Sequence, residues 1–155
     1  MKNKKINTML VLSAVLVGFL GLFSFCPMKK QGIEGQVQQL KGDQMPSPDL
    51  PVTSRGRPYA CKLAVFEPTK ISQTQLLDNG PYYQKINSKL VTLVNTDSLG
   101  RFKVKLAPGR YSVFIVEGNN YYATIQDGDG TIGPVNVEKH RFTRLDLKMD
   151  AGATY

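Results

Sequence analysis

Among the residues whose types could do chemistry, "DGDG" at Asp127–Gly130 is the first to consider. Closely spaced carboxylates on a flexible backbone can wrap a hard cation, which makes Asp127 and Asp129 candidate calcium ligands. The third oxygen donor and the distal glutamate of the twelve-residue calcium loop are missing, so a plain turn is the competing reading. His140 is the only histidine. A zinc hydrolase needs at least two histidines and a carboxylate, or an equivalent donor set. A serine hydrolase needs a nucleophile elbow, and no Gly-x-Ser-x-Gly occurs. Any triad would also have to borrow His140, which sits in an expected turn. No catalytic residue is assigned, and no cofactor is expected.

The tyrosine pairs Tyr82-Tyr83 and Tyr121-Tyr122 suggest binding rather than catalysis. An exposed phenol offers a flat apolar face and a polar tip, suited to a saccharide or a protein partner. Neighbours in a strand point to opposite faces, so one ring of Tyr121-Tyr122 should enter the core. Tyr82, Tyr83 and Tyr121, with Arg55 and Arg57 from a proline-rich segment, are the candidate partner-binding residues. They are expected to converge at one end of the domain, where loops can vary without disturbing a core.

Cysteine use is sparse: Cys26 and Cys61 are the only two. In "YACKLAVFEP" Cys61 alternates in phase with Leu63 and Val65 and should face the core. No basic neighbour is in view to stabilise a thiolate there. A Cys26–Cys61 disulfide is the minor alternative.

The elements that must position these residues are short strands. "GIEGQVQQL" puts Ile33 and Val37 on one face, and Gly35 suggests close approach of another backbone. Prolines 46, 48, 51 and 58 then make residues 42–58 a long loop. "PYACKLAVFEP" is a second strand. A short helical turn is expected from Ser72 through Leu77, ended by Asn79-Gly80-Pro81. "SKLVTLVNT", "RFKVKLA" and "RYSVFIVEG" follow, linked by "DSLG" and "PG", turns short enough to predict antiparallel neighbours. Phe102, Val104 and Leu106 face inward, as do Tyr111, Val113 and Ile115, and Gly100 supplies a turn that needs positive φ. A strand at Tyr121–Gln126 and two more about a turn near Lys139 and His140 complete the pattern. Leu145, Leu147 and Met149 alternate there with Arg144, Asp146 and Lys148. The fold class is all-β, an antiparallel two-sheet sandwich of about seven to eight strands.

The front of the chain gives an address. Lys2, Lys4 and Lys5 precede an apolar run from Met9 to Phe25 that ends at Cys26, the layout of an export signal. "FSFC" resembles in part the signal of a bacterial lipoprotein, with Ser24 in place and with Phe23 and Phe25 departing from it. Cleavage there would leave an acylated Cys26 as the membrane attachment. Alternatively residues 9–25 stay as an anchor, long enough for about 30 Å of hydrocarbon. Ordinary secretory cleavage is a third route, though no Ala-x-Ala lies near. Residues 1–26 are thus signal or anchor, 27–31 a linker and 32–155 the domain, held in the cell envelope on its periplasmic or extracellular side.

The net charge of +8 owes three cations to that front segment. The rest is spread along strands, with a denser group at Arg101, Lys103, Lys105 and Arg110. Solvated, edge-protecting lysines account for it, and no nucleic-acid module accompanies them.

"GIEGQV", "TDSLGRFKVKLAPGRYSVFIVEG" and "FTRLDLKMD" resemble the carboxypeptidase regulatory-like domain, a sandwich similar to transthyretin found in bacterial envelope proteins. The pattern of Gly100, Phe102, Leu106, Pro108, Gly109, Tyr111 and Val113 carries the likeness over residues 32 to about 150. The resemblance implies an accessory, non-catalytic module that binds or scaffolds another envelope protein, or alternatively a carbohydrate-binding lipoprotein. A transthyretin-like hydrolase acting on 5-hydroxyisourate is the remaining reading. That family uses several histidines and a Tyr-Arg-Gly-Ser terminus, whereas this chain ends "MDAGATY".

Overall fold

The computed structural model describes residues 30–43, 56–78 and 80–154. Cys26, the apolar run 9–25 and Arg55 lie outside the described residues. Two β-sheets form the fold. The first is organised around β1 (Gly32–Asp43), a strand long enough to take two neighbours on each side in succession. Its first half pairs antiparallel with β7 (Arg101–Lys105) and parallel with β11 (Phe142–Arg144). Its second half pairs antiparallel with β2 (Arg57–Pro58) and parallel with β12 (Leu147–Thr154).

The second sheet runs in the order β4 (Thr74–Leu77), β5 (Tyr82–Ile86), β9 (Asn120–Tyr122), β8 (Gly109–Glu117), β3 (Lys62–Phe66) and β6 (Leu90–Asn95). β10 (Pro134–Val137) pairs with the start of β8, opposite residues 109–112. Twelve strands are therefore present among the described residues, more than the seven or eight expected, because several are only two to four residues long.

The main departure from expectation lies in the turns. "DSLG" and "PG" do not fold adjacent strands into hairpins: β6 and β8 belong to one sheet and β7 to the other. Each short link carries the chain across the core from sheet to sheet. The turn at Lys139 and His140 does the same between β10 and β11, and this crossing returns the chain parallel to β1. Two successive strands with inward-facing apolar residues meet that requirement equally well side by side or face to face, so alternation alone could not choose. Asp97 fixes the first crossing. Its Oδ1 accepts from the amides of Leu99 and Arg101 at 2.9 and 2.8 Å, and its Oδ2 from Arg101 Nε at 2.8 Å. The amide of Arg101, ahead of the other contacts, holds the Asp97 carboxyl below its ordinary range.

A second correction concerns residues 72–77. A 3₁₀ turn covers Ile71–Gln73 only, and β4 begins at Thr74. One helical turn has little stability of its own, whereas pairing Thr74 with Ile86 and Leu77 with Tyr82 builds a hairpin. That hairpin delivers Tyr83 to a second apolar cluster. The main core between the sheets contains Ile33, Val37, Leu63, Val65, Phe102, Val113, Ile115, Tyr122 and Met149. The second cluster gathers Ala64, Phe66, Tyr83, Phe114, Ala123 and Ile132. Side chains on β3 and β8 alternate between the two, which is why Lys62 alone on β3 is exposed. Hydrogen bonds from Ile132 N to Thr69 O (2.9 Å) and from Thr69 N to Ser112 Oγ (2.9 Å) tie the two covering segments to the sheet.

Two glycines are required by contact. A Cβ on Gly35 would land on the Leu145 carbonyl, where the chain breaks between β11 and β12 and passes over β1. Gly100 has φ +71°, and a Cβ there would collide with the Val37 carbonyl. Gly35→Ala and Gly100→Ala should each lower unfolding free energy by at least about 2 kcal/mol. Gly128→Ala, whose Cβ meets nothing within 4 Å, should change it by less than about 0.5 kcal/mol. Urea unfolding of the three variants checks this.

Candidate functional site

The tyrosines named from sequence are brought together, but by packing rather than by display. β5, β9 and β8 lie side by side, so Tyr82 stands opposite Tyr122 and Tyr83 opposite Tyr121. Tyr83 is 2% exposed and its ring meets Phe114 edge-on at 5.7 Å. Tyr121 is half-buried against Phe66 at 5.5 Å and Phe114 at 6.2 Å. Such edge-to-face pairs each add about 0.5–1.5 kcal/mol to the area they bury. Their role in this structure is cohesion of the second cluster, and the surface expected from Tyr82, Tyr83 and Tyr121 is not presented as a set of open rings. Tyr122 is the ring that enters the main core, as alternation requires.

On the inner face the phenols meet carboxylates. Tyr82 donates to Glu117 Oε2 at 2.7 Å, and its ring lies 5.1 Å from that of Tyr122. Tyr122 donates to Asp150 Oδ1 and accepts from the Asp150 amide at 3.1 Å. Burial first, then Glu117, pushes the Tyr82 phenol up to about 12. Burial and then Asp150 raise Tyr122 as well. Burial and Glu117 also raise Tyr59, which packs against the main core. Tyr59, Glu117 and Asp150 were not singled out from sequence, because Glu117 reaches Tyr82 across β9 within one sheet and Asp150 reaches Tyr122 only when the sheets stack.

The acidic candidates are engaged as well. Arg110 bridges the "DGDG" loop, with Nη2 against Asp127 and Nη1 3.3 Å from Asp129 Oδ2. Asp127 Oδ1 accepts the amides of Asp129 (3.0 Å) and Thr131 (2.9 Å), the hydrogen bonding of a tight turn. The guanidinium thus neutralises the negative charge that these carboxylates would otherwise offer to a metal cation. Among the described residues no group of three or more histidine, cysteine or carboxylate side chains is placed to hold a metal. His140 is exposed in its turn at φ +69°, with its amide donating to Gln31 Oε1. Arg57 is exposed on β2, opposite Gln39. Cys61 is half-buried against the main core, and burial pushes its thiol up to about 11, although a bond to Thr96 works the other way.

The surface feature that sequence reading passed over is β6. It is a terminal strand of its sheet, and Leu90, Val91 and Leu93 are 44%, 40% and 52% exposed. The uncharged run "LVTLVN" was the available signal, but it reads equally as a strand buried on both faces. Comparison with known proteins returns no matching family model, no matching curated relative and no matching solved structure.

Two measurements test this description. Phenols raised in the fold above their ordinary value near 10 retain protons that the unfolded chain has lost, so stability is complete below about pH 10 and falls as pH rises towards 12. The urea midpoint should decline over that window, less steeply in Tyr82→Phe, and a flat profile would contradict the burial of these phenols. Alkylation mapped by mass should leave Cys61 largely unmodified in the folded protein at neutral pH and modify it fully in urea.

Proposed function

We propose that the chain is a non-catalytic, membrane-attached protein of the cell envelope whose sandwich binds another envelope protein by accepting an extended strand on β6. The observation that carries the reading is the character of that edge. Natural edge strands are blunted by charge, proline or cover. β6 instead offers an uncharged, apolar strand with no strand partner on its outer side among the described residues. Strand addition draws affinity from main-chain hydrogen bonds and selectivity from alternate side chains, and it needs no groove.

The attachment rests on Cys26 or residues 9–25 and on the basic residues before them. The resemblance to carboxypeptidase regulatory-like domains supports an accessory role, and it leaves the partner to be found by experiment. A polysaccharide reading loses support from the packed tyrosines, since sugar stacking needs open ring faces.

A photo-crosslinker placed at Val91 in intact cells should give one discrete adduct, lost when Leu93 is also changed to Lys. Adducts that are absent, or that persist in Leu93→Lys with the protein folded, would contradict the reading. Intact-mass analysis of detergent-extracted protein should show either an acylated Cys26 amino terminus or a retained Met1; loss of residues 1–26 without acylation would contradict membrane attachment.

A further inference from the structure

Five residues separate Cys26 from Gly32, the first residue of β1. Fully extended they span about 20 Å. If the chain is anchored as proposed, the end of the sandwich that carries the start of β1 lies close to the bilayer. The residues at that end are fixed by pairing. Gly32 stands opposite Lys105 on β7 and Phe142 on β11. Leu106 N donates to Gln31 O at 3.4 Å, Gly32 N to Arg141 O at 3.3 Å, and His140 N to Gln31 Oε1 at 3.1 Å. Val137 and Gly109 are partners, so the crossings 106–108 and 138–141 sit at this same end.

We infer that this end is a docking face for anionic lipid headgroups, built from Lys30, Lys105 and Lys139. All three are exposed and none forms a salt bridge among the described residues. The neighbouring charges nearly cancel. Arg141 pairs with Glu138 at 2.5 Å and Lys103 with Glu34 at 2.5 Å, while Arg110 sits between Asp127 and Asp129, and the exposed Lys70 is bridged to Thr131 at the end of that loop. The three lysines therefore set the sign of the end. At the opposite end Asp97 is paired with Arg101, and Glu117 accepts the Tyr82 hydroxyl. A basic face held within a Debye length of about 8–10 Å from the headgroups is attracted, and one left farther away is screened. Docking would stand the domain upright, which leaves β6 at the side of the sandwich accessible to a partner.

This inference rests on the anchored reading, and the experiment separates the two. The full chain is reconstituted in phosphatidylcholine vesicles, with or without phosphatidylglycerol, and its lysines are modified with a water-soluble acylating reagent. With phosphatidylglycerol, Lys30, Lys105 and Lys139 should react several-fold more slowly than in neutral vesicles, while Lys62 on β3 is unchanged, and high salt should abolish the difference. Lys139→Gln should lower the docked-to-free ratio about fivefold, seen as faster modification of Lys105, with Lys62 again reporting an intact fold. Equal rates in the two vesicles, with the chain still floating with both at high salt, would overturn the docking face alone. A chain that fails to float with neutral vesicles would overturn the anchored reading and the docking together.

Discussion

Around Gly35 the backbone of one strand is passed over so closely by another that a single methyl group cannot be accommodated. The chain breaks between β11 and β12 at this point. Leu145 N donates to Glu34 O at 2.9 Å, and Asp146 Oδ1 replaces the next carbonyl by accepting from Gln36 N at 3.1 Å. Because β11 and β12 share this hinge, β1 can keep a parallel neighbour along nearly its whole length while β7 and β2 fill its other side. Every strand of the first sheet depends on that central strand. The second sheet depends on it through the main core, where Ile33 and Val37 are fully buried.

How much of this was legible depends on what each residue pattern can distinguish. Inward alternation at Phe102, Val104, Leu106, Tyr111, Val113 and Ile115 identified strands and their buried faces, because period two is a local property. The needs of Gly35 and Gly100 were also readable, since a glycine inside a strand or before a turn has few other uses. Pairing was not readable, because the same alternation serves a hairpin and a sheet crossing. The two-faced burial of β3 and β8 was hidden for a related reason: Ala64, Phe66 and Phe114 look like the solvent side of an alternating strand until the segments on either side of β4 and β9 fold over them. For the same reason Tyr83 and Tyr121 look like surface residues in the sequence.

Chemistry was legible mainly as constraint. One histidine and two cysteines limit what sites can be assembled, and the arrangement that folding adds is tyrosine with carboxylate rather than nucleophile with base. Tyr82–Glu117 ties β5 to β8 within the second sheet, Tyr122–Asp150 ties that sheet to β12 of the first, and both bonds satisfy polar groups and fix ring orientation. The functional proposals accordingly rest on surfaces: an uncharged edge at one side and a basic end beside the tether. These two surfaces do not compete, since one is a flank and the other a base. A domain held by its base and read along its flank would use both surfaces at once.

The dependence of both sheets on β1 is tested most directly by native-state hydrogen exchange followed residue by residue. The amides of residues 36–39 should exchange only through global unfolding, with an opening free energy equal to that from denaturant titration and at least as large as any in β8. Exchange there at a markedly lower free energy than in β3 and β8 would mean that the second sheet stands without the central strand of the first, and the account given for the fold would be wrong.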